Sequence, residues 1–338
     1  MAGSWIDQNK ILPGAYINIK TNAPLSITVG DRGTVVLLER LEIGEVNKIY
    51  RATALENDLP EGYNKKLLNE ALKGANEVLI YNLGEEGLLE TSLNTLKTIK
   101  FNVLVFPGAT SEEKASIVEW IEDMREDEGV KVVGVLANKE ANKEFIINVV
   151  QGIKLSDNAI LTVEEVTAYV AGITAGANIN KSNTGLKYQG AIDVVPRMTK
   201  TEMEAAINAG KFIFKVDIAQ NVTSVYDINS LTTFTDDKGK QFSKNRTIRT
   251  LDSINNDLVN IFESNYIGKV NNNIDGRSIL RATLIEYFNE LQRLSAIQNF
   301  TAEDIEVLEG KEKDSVVINC NIQTVDSVEK MYITVNLA

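Results

Sequence analysis

The sequence predicts an α/β N-terminal unit, with a mostly parallel sheet and flanking helices, followed by an α+β C-terminal domain with extended strand-forming N- and C-terminal arms. Three observations support this fold class. Apolar runs typical of strands buried on both faces alternate with helical stripes in the first half of the chain. Two amphipathic helical patterns follow in the second half. Segments near both ends alternate apolar and polar side chains, as half-buried strands do.

The first unit alternates strands and helices. Two of its helices begin with a capping box, Thr110 with Glu113 and Thr162 with Glu165, and Gly129 ends the earlier one. Apolar spacing predicts these helices, and one earlier helix, over residues 67–75, 117–124 and 163–173. Apolar runs predict strands at residues 34–38, 46–53, 78–81, 103–106, 130–136 and 145–153. Strands that alternate with helices predict a mostly parallel sheet covered by helices.

The second unit has a different pattern. Residues 174–190 are rich in Gly, Asn, Ser and Thr, so we expect the boundary there, between domains at residues 25–187 and 188–325. Thr199 and Glu202 predict a capped helix that ends at Gly210. Apolar stripes predict two long helices, and shorter runs predict strands at residues 211–216, 223–226 and 315–325. We expect the helices to pack on one face of an antiparallel sheet.

The two ends of the chain are the predicted arms, at residues 1–24 and 326–338. In the C-terminal arm, alternation places Met331, Ile333 and Val335 on one strand face, with Tyr332 and Thr334 on the other. In the N-terminal arm, residues 14–20 form a second strand pattern that includes Tyr16, Ile17 and Ile19. Unpaired strand edges must pair either inside the subunit or on a neighbour, and pairing on a neighbour would build a polymer.

Composition excludes several classes of function. A formal charge of −12 argues against general nucleic-acid binding, which depends on basic surface. No apolar run approaches a membrane helix, and the start lacks the pattern of a signal peptide. The chain has no histidine, which excludes Ser-His-Asp triads and zinc sites of the usual composition. Its single cysteine, Cys320, alternates with strand residues and is expected to be a buried structural thiol. We expect no cofactor.

Two weak motifs resemble ligand loops. Lys269 follows Gly268, but the spacing of a phosphate loop is missing. The run from Asn271 to Gly276 resembles the first half of a calcium loop, yet Ala282 stands where the bidentate glutamate should be. A helix N-terminus capped by Asp275 is the favoured interpretation of that run.

Basic residues are concentrated in the second unit of an otherwise acidic chain. One interpretation is scattered solvation and local ion pairs, and the other is a basic face that docks on an acidic protein. The residues are Arg246, Arg249, Lys269, Arg277, Arg281 and Arg293.

Several segments together resemble the sheath protein of contractile phage tails, of the compact type found in phage-like defective prophages and R-type bacteriocins. The resemblance covers nearly the whole chain and is densest after Asp193. Its carriers include Leu12-Pro-Gly-Ala-Tyr-Ile-Asn-Ile, Val170-Ala-Gly-Ile-Thr-Ala-Gly, Asn245-Arg-Thr-Ile-Arg-Thr-Leu-Asp-Ser-Ile, Tyr266-Ile-Gly-Lys-Val and residues 314–335.

The resemblance implies a structural subunit rather than an enzyme. Such subunits stack as hexameric rings around an inner tail tube, beside baseplate and tail-terminator proteins, and contract by rigid-body rearrangement. It implies that residues 14–20 and 330–337 are strands donated to neighbouring copies. The apolar stripes of the two long helices must point into the domain, so we expect the charged sides of nearby basic residues to be free to face the tube. These residues are Lys269, Arg277, Arg281 and Arg293. The resemblance also implies a phage tail or bacteriocin particle assembled in the bacterial cytoplasm, without nucleic-acid or membrane partners. The alternatives are a ligand- or nucleotide-binding α/β enzyme and a non-contractile shell or surface-layer protein.

Overall fold

The computed structural model describes residues 32–337 and the backbone of residues 2–3 and 15–16. Tyr16 lies in one of two short N-terminal strands that pair in parallel, whereas Ile17 and Ile19 lie outside the described residues. The strands are β1 (Ala2–Gly3), β2 (Ala15–Tyr16), β3 (Thr34–Glu39), β4 (Ile49–Thr53), β5 (Glu77–Asn82), β6 (Val103–Val105), β7 (Val133–Ala137), β8 (Ile146–Val149), β9 (Gly152–Leu155), β10 (Ile160–Leu161), β11 (Ala191–Val195), β12 (Lys211–Phe212), β13 (Phe214–Val216), β14 (Val222–Ser224), β15 (Ile297–Gln298), β16 (Ile305–Glu309), β17 (Val316–Cys320) and β18 (Gln323–Thr324). The helices are α1 (Lys66–Ala71), α2 (Leu89–Leu96), α3 (Ser111–Glu126), α4 (Val163–Gly176), α5 (Lys200–Asn208), α6 (Asn245–Asn265) and α7 (Ile274–Arg293), with 3₁₀ turns at Lys240–Ser243 and Ala302–Asp304.

A seven-stranded sheet, in the order β12-β8-β7-β6-β3-β5-β4, forms the centre of the first unit. All neighbouring strands in it are parallel except β4 and β5. Successive side chains of a strand face opposite sides, so Val35 and Leu37 pack under α1 and α4, while Val36 and Leu38 pack with α2 and α3. The predicted mostly parallel sheet with flanking helices is confirmed.

The three predicted capping boxes are present, at Thr110, Thr162 and Thr199. Helix α2 was not predicted, because it is short and its N-cap residue, Leu88, makes no side-chain capping bond. The N-cap of helix α7 lies two residues before the predicted cap. Asn273, and not Asp275, accepts the capping hydrogen bond from Gly276, so the expected cap was wrong by two residues.

Two sequence predictions about strand grouping need correction. The single strand predicted at residues 145–153 is two strands, because β8 lies in the seven-stranded sheet and β9 lies in a separate antiparallel sheet of order β10-β9-β11. The buried Gln151 side chain separates them by accepting from the Phe214 amide and donating to the Pro196 carbonyl. Strand β12 lies after the predicted boundary at 187/188, but it pairs with β8 of the first unit. This boundary therefore divides one sheet between the two predicted domains.

The second unit packs α6 and α7 around a core that includes Ile254, Leu284 and Tyr287. Within the described part of this unit, no continuous antiparallel sheet covers the helices, which differs from the prediction. Instead β16 pairs with β17, and β15 pairs with β18, as two separate two-stranded ladders. The helices therefore carry an incomplete sheet.

Helix α6 also joins the two units through polar contacts. The Arg125 guanidinium on α3 donates two hydrogen bonds to the Asp252 carboxylate on α6, at 2.7 and 2.8 Å. One turn later, Asn256 accepts from the Lys131 amide and donates to the Lys131 carbonyl. Neighbouring Asn255 donates to the Gly129 carbonyl. None of the described helices is long and apolar enough to span a bilayer.

Candidate assembly site at the root of the C-terminal segment

The C-terminal segment lies on the subunit without joining a sheet. The Val325 amide donates to the Ala296 carbonyl, and residues 325–337 form neither helix nor strand. Residues 330–337 of the predicted arm, Thr334 included, are exposed. Among them, the large side chains are between 73% and 96% exposed, at Met331, Tyr332, Ile333, Val335 and Leu337. The strand-forming alternation therefore finds no strand partner within the described part of the subunit.

Just before this exposed segment, the Glu329 carboxylate is held from two sides. Its Oε1 atom accepts hydrogen bonds from Thr184 at 2.6 Å and from Ser182 at 3.3 Å, both in the loop after α4. Its Oε2 atom pairs with the Lys244 ammonium, at the start of α6. The Glu329 and Lys244 side chains are only 7% and 14% exposed. This shielding from water makes the ion pair stronger than a surface pair.

Two further contacts extend the grip on the segment. Lys244 lies 3.4 Å from Asp326 and stacks over the Tyr226 ring at 4.0 Å. Burial alone would lower the pKa of Lys244, but its hydrogen bonds and nearby carboxylates hold that pKa above the usual value. Arg246 donates to the Ser327 hydroxyl at 2.9 Å. We call this set the arm clamp, formed by Ser182, Thr184, Lys244 and Arg246 on the body and Asp326, Ser327 and Glu329 on the segment.

A buried carboxylate, Asp227, supports the clamp from below. It accepts from the Asn183 amide at 2.9 Å and the Asn245 side chain at 2.8 Å, and it pairs with Arg249. The Asp227 amide in turn donates to Thr184, the residue that holds Glu329. The clamp is therefore continuous with a fixed polar core.

This arrangement gives Arg246 and Arg249 an internal role. Both are buried, so they do not form part of an exposed basic face. Sequence reasoning noted the run Asn245-Arg-Thr-Ile-Arg as a motif and missed its contacts. It also missed Thr184, Asp227 and Glu329.

Two of the four predicted tube-facing residues are likewise used inside the subunit. Arg281 donates to the carbonyls of Ile305 and Ala302, and Arg277 pairs with Glu309 at 3.5 Å. The charged ends of Arg277 and Arg281 are therefore engaged within the subunit. Two others are exposed at the surface, Lys269 with a bond to the Ser264 carbonyl and Arg293 beside Glu290.

The β16–β17 ladder has an open edge near a groove that is lined by both apolar and polar side chains. Within the described residues, β17 pairs with β16 and with no other strand, and its Val317 and Ile318 are exposed. The groove has a volume of about 580 Å³ and runs from Phe262 and Tyr266, at the end of α6, to Val316 at the start of β17. Cys320 ends the strand half-buried, and burial raises the pKa of its thiol to about 11. Across residues 32–337, no group of three or more acidic or thiol side chains is arranged to hold a metal ion.

Comparisons with known proteins identify the family. Residues 84–230 match the phage tail sheath protein central domain, and residues 237–338 match the phage tail sheath C-terminal domain. The tail sheath protein of Clostridium phage phiCD119 is 31% identical over 285 residues, which cover 79% of each chain. The phage-like element PBSX protein XkdK of Bacillus subtilis is 35% identical over 254 residues, 72% of this chain. The chain spans about half of that relative's length, 54%.

Solved structures agree with this assignment. The crystal structure of the sheath tail protein from Desulfitobacterium hafniense superposes with a TM-score of 0.84 at 31% identity, covering 95% of this chain and 99% of that one. The contracted helical sheath of the anti-feeding prophage shares the fold at 14% identity, with a TM-score of 0.73 over 97% of this chain and 100% of that one. The chain therefore belongs to the phage tail sheath protein family.

Proposed function

We propose that this chain is the polymerising subunit of a contractile tail sheath, and that its C-terminal segment is a strand donated to a neighbouring copy. The observation that carries the proposal is the exposed segment of residues 331–337, which alternates apolar and polar residues and is anchored at its root by the arm clamp. Exposed apolar side chains in such a row are unfavourable in water and mark an interaction site.

Pairing with a neighbour would satisfy this segment. A donated strand forms on the order of 5–7 ladder hydrogen bonds, each worth a net ~1 kcal/mol, in addition to apolar burial. That is strong enough to keep subunits linked while they move.

We propose the open edge of β17 as an acceptor for the donated strand. A strand added there would continue the β16–β17 ladder and cover the groove beside Phe262 and Val316. It would also shield Ile318, which is exposed although its strand lies on the second unit's core. The unpaired segment of one subunit would therefore complete the β16–β17 sheet of its neighbour.

The N-terminal arm is proposed as a second link. Residues 14–20, with Tyr16, Ile17 and Ile19, have the same alternation as the C-terminal segment and would add a further strand to a neighbour's second unit. Two donated strands per subunit would connect each copy to more than one neighbour, as stacked rings require.

Contraction would follow from rearrangement of linked rigid bodies. The ion pair of Arg125 with Asp252 and the contacts of Asn256 tie the two units together, which favours movement of each subunit as one body. The extended sheath would be a kinetically trapped lattice that new subunit contacts convert to a lower-energy one. The fold shared with the contracted anti-feeding prophage sheath is consistent with this role.

The proposed partners are other copies in hexameric rings, the inner tail tube, and the baseplate and tail-terminator proteins, in a particle assembled in the bacterial cytoplasm. For the tube, Lys269 and Arg293 are the favoured contacts because they are exposed. Arg277 and Arg281 would support that face from within, since their guanidinium groups bind Glu309 and the carbonyls of residues 302 and 305.

Disulfide scanning tests the donated strand. Cys320 is the only native cysteine, so single cysteines placed at 331 to 335 can report which arm positions approach it in a neighbour. Cys320 packs towards the helices, and facing residues of adjacent strands point to the same side. We expect oxidised dimers from cysteines at apolar positions such as Ile333, and none from Tyr332→Cys or Thr334→Cys. The same variants with Cys320→Ser are the control. Absence of any dimer, or equal yields at all five positions, would contradict pairing on β17.

A further inference from the structure

The arm clamp lies between the last backbone contact of the chain with the body and the exposed arm. The Val325 amide makes the last backbone bond to the body before it, and Met331 is the first large exposed apolar residue of the arm after it. Between them, Asp326, Ser327 and Glu329 are held through their side chains. Val328, in the middle, is 89% exposed. The clamped residues therefore bury no apolar side chain in the core.

Because of this geometry, the clamp can open without unfolding the subunit. Within residues 32–337, no hydrogen bond joins the backbone of residues 326–329 to the body, and the Ser327 amide donates to the side chain of its neighbour Asp326. Opening the clamp would break the contacts of Glu329 and Ser327 and leave the packing of α6 and α7 unchanged. Lys244 and Thr184 would keep polar partners, because water can reach them once the segment leaves.

We propose that the arm clamp sets the reach of the donated arm. When the clamp is closed, the free arm begins at Lys330. When it is open, the arm begins at Asp326, four residues earlier, and an extended chain gains about 3.3 Å per residue, or roughly 13 Å in total. Neighbouring subunits move apart by that distance without pulling the donated strand from its acceptor. The proposal rests on the donated strand, and it adds a device that regulates it.

Ion pairs and a charged hydrogen bond keep the clamp closed. Lys244 faces Glu329 and Asp326, and Arg246 faces Ser327 from the same helix turn. Because the ion pair is largely shielded from solvent, salt weakens it less than it weakens a surface pair. The closed state is therefore expected to persist in physiological salt until mechanical strain on the arm opens it.

Zero-length carbodiimide cross-linking tests the proposal in wild-type sheath. The reagent joins a lysine amine and a carboxylate in contact, so the yield of the Lys244–Glu329 peptide, measured by mass spectrometry, reports the closed clamp. The internal control is Lys66 with Glu165, an ion pair at 2.6 Å between α1 and α4 that lies within the first unit. Extended and contracted sheath are compared, with the separation of linked subunits measured by electron microscopy of the same samples.

We expect the Lys244–Glu329 yield, relative to the control pair, to fall at least tenfold in the state with the larger separation. Equal yields in the two states would overturn the proposal. Disulfide linkage of Ile333→Cys to Cys320 is measured in parallel. If linkage persists in both states while the clamp yield stays constant, the strand donation stands and the reach-setting role fails. If linkage is absent, the proposed donation of the strand to β17, on which this inference rests, fails.

Variants give an independent readout. Glu329→Gln and Lys244→Met weaken the closed clamp, and Lys240→Met removes a neighbouring exposed lysine as a matched control. In full-length subunits kept too dilute to polymerise, trypsin cleavage after Lys330 is expected to accelerate at least tenfold in the two clamp variants and to stay unchanged in the control. Equal cleavage rates in all three variants would show that the clamp does not restrain the arm.

Discussion

Arg125 and Asp252 form a buried two-point ion pair that joins the helix before β7 to the first long helix of the second unit. Their side chains are about nine-tenths buried, and Arg125 also donates to the Val132 carbonyl. Residues 127 positions apart are thereby fixed together. The proposed movement of the subunit as one body depends on such a connection.

Removal of Arg125 should therefore destabilise the protein strongly. Arg125→Ala leaves the Asp252 carboxylate buried without its partner, and we expect a loss of about 3–5 kcal/mol in the free energy of unfolding. Urea denaturation followed by circular dichroism measures it. The matched control is Lys97→Ala, which removes an exposed ion pair with Glu128 and should change stability by less than about 1 kcal/mol. Equal effects of the two substitutions would show that the pair does not join the units.

Glu39, at the end of β3, gives a pH-dependent contribution to stability. Burial raises its pKa to about 7, against an ordinary value of 4.5, although a hydrogen bond from Tyr63 acts in the opposite direction. The folded state thus binds this proton more tightly than the unfolded state does. Its contribution is complete below about pH 4.5 and is lost as pH rises towards 7.

Glu39→Gln should remove this dependence. We expect the variant to be more stable than the wild type above pH 7, by up to about 3 kcal/mol, with the difference shrinking as pH falls. Thermal or urea unfolding between pH 5 and pH 8 measures the difference, and Glu45→Gln, at an exposed carboxylate, is the control. A stability difference that does not vary with pH would contradict the assignment.

The proposed tube contact should depend on salt and on exposed charge. Charge reversal at Lys269 and Arg293 should favour empty sheath over sheath bound to the tube, because surface ion pairs of modest strength hold it there. High ionic strength should have the same effect, while strand-linked sheath alone should remain intact. Co-sedimentation of sheath with tubes measures both effects.

Arg281→Glu should act on the stability of the subunit. It removes hydrogen bonds to two backbone carbonyls, so we expect it to lower the midpoint of urea unfolding. Side chains of Lys269 and Arg293 found on the outer surface of an assembled particle would contradict a role at the tube.

Local signals made much of the fold predictable. Capping boxes such as Thr110 with Glu113 lie within one turn, and the apolar strands of the parallel sheet are continuous in sequence, so each can be recognised without its partners. Helix α2 has no capping side chain and was missed. The break between β8 and β9 depends on the partners of Gln151, which lie 45 and 63 residues away.

The arm clamp could not be predicted for the same reason. Glu329 binds Lys244 and Thr184, which are 85 and 145 residues away, and contacts over such distances leave no periodic pattern. Arg246 and Arg249 were noticed as charges in an acidic protein, but sequence alone does not distinguish a buried guanidinium from an exposed one. The alternation over residues 331–335 is local and can be recognised from the sequence, and the strand that it predicts there stays a prediction.

The most direct test of the account is whether Ile333→Asp and Thr334→Asp differ in assembly. If residues 331–337 add to a neighbour's sheet with the apolar face buried, Ile333→Asp places a carboxylate without a partner in that interface, at a cost of several kcal/mol. Thr334→Asp carries the same charge on the opposite face and should be milder. Negative-stain microscopy and sedimentation of the purified proteins should show tubes for wild type, tubes or shortened tubes for Thr334→Asp, and folded unassembled subunits for Ile333→Asp. Equal assembly of wild type and Ile333→Asp would contradict a donated strand in this register.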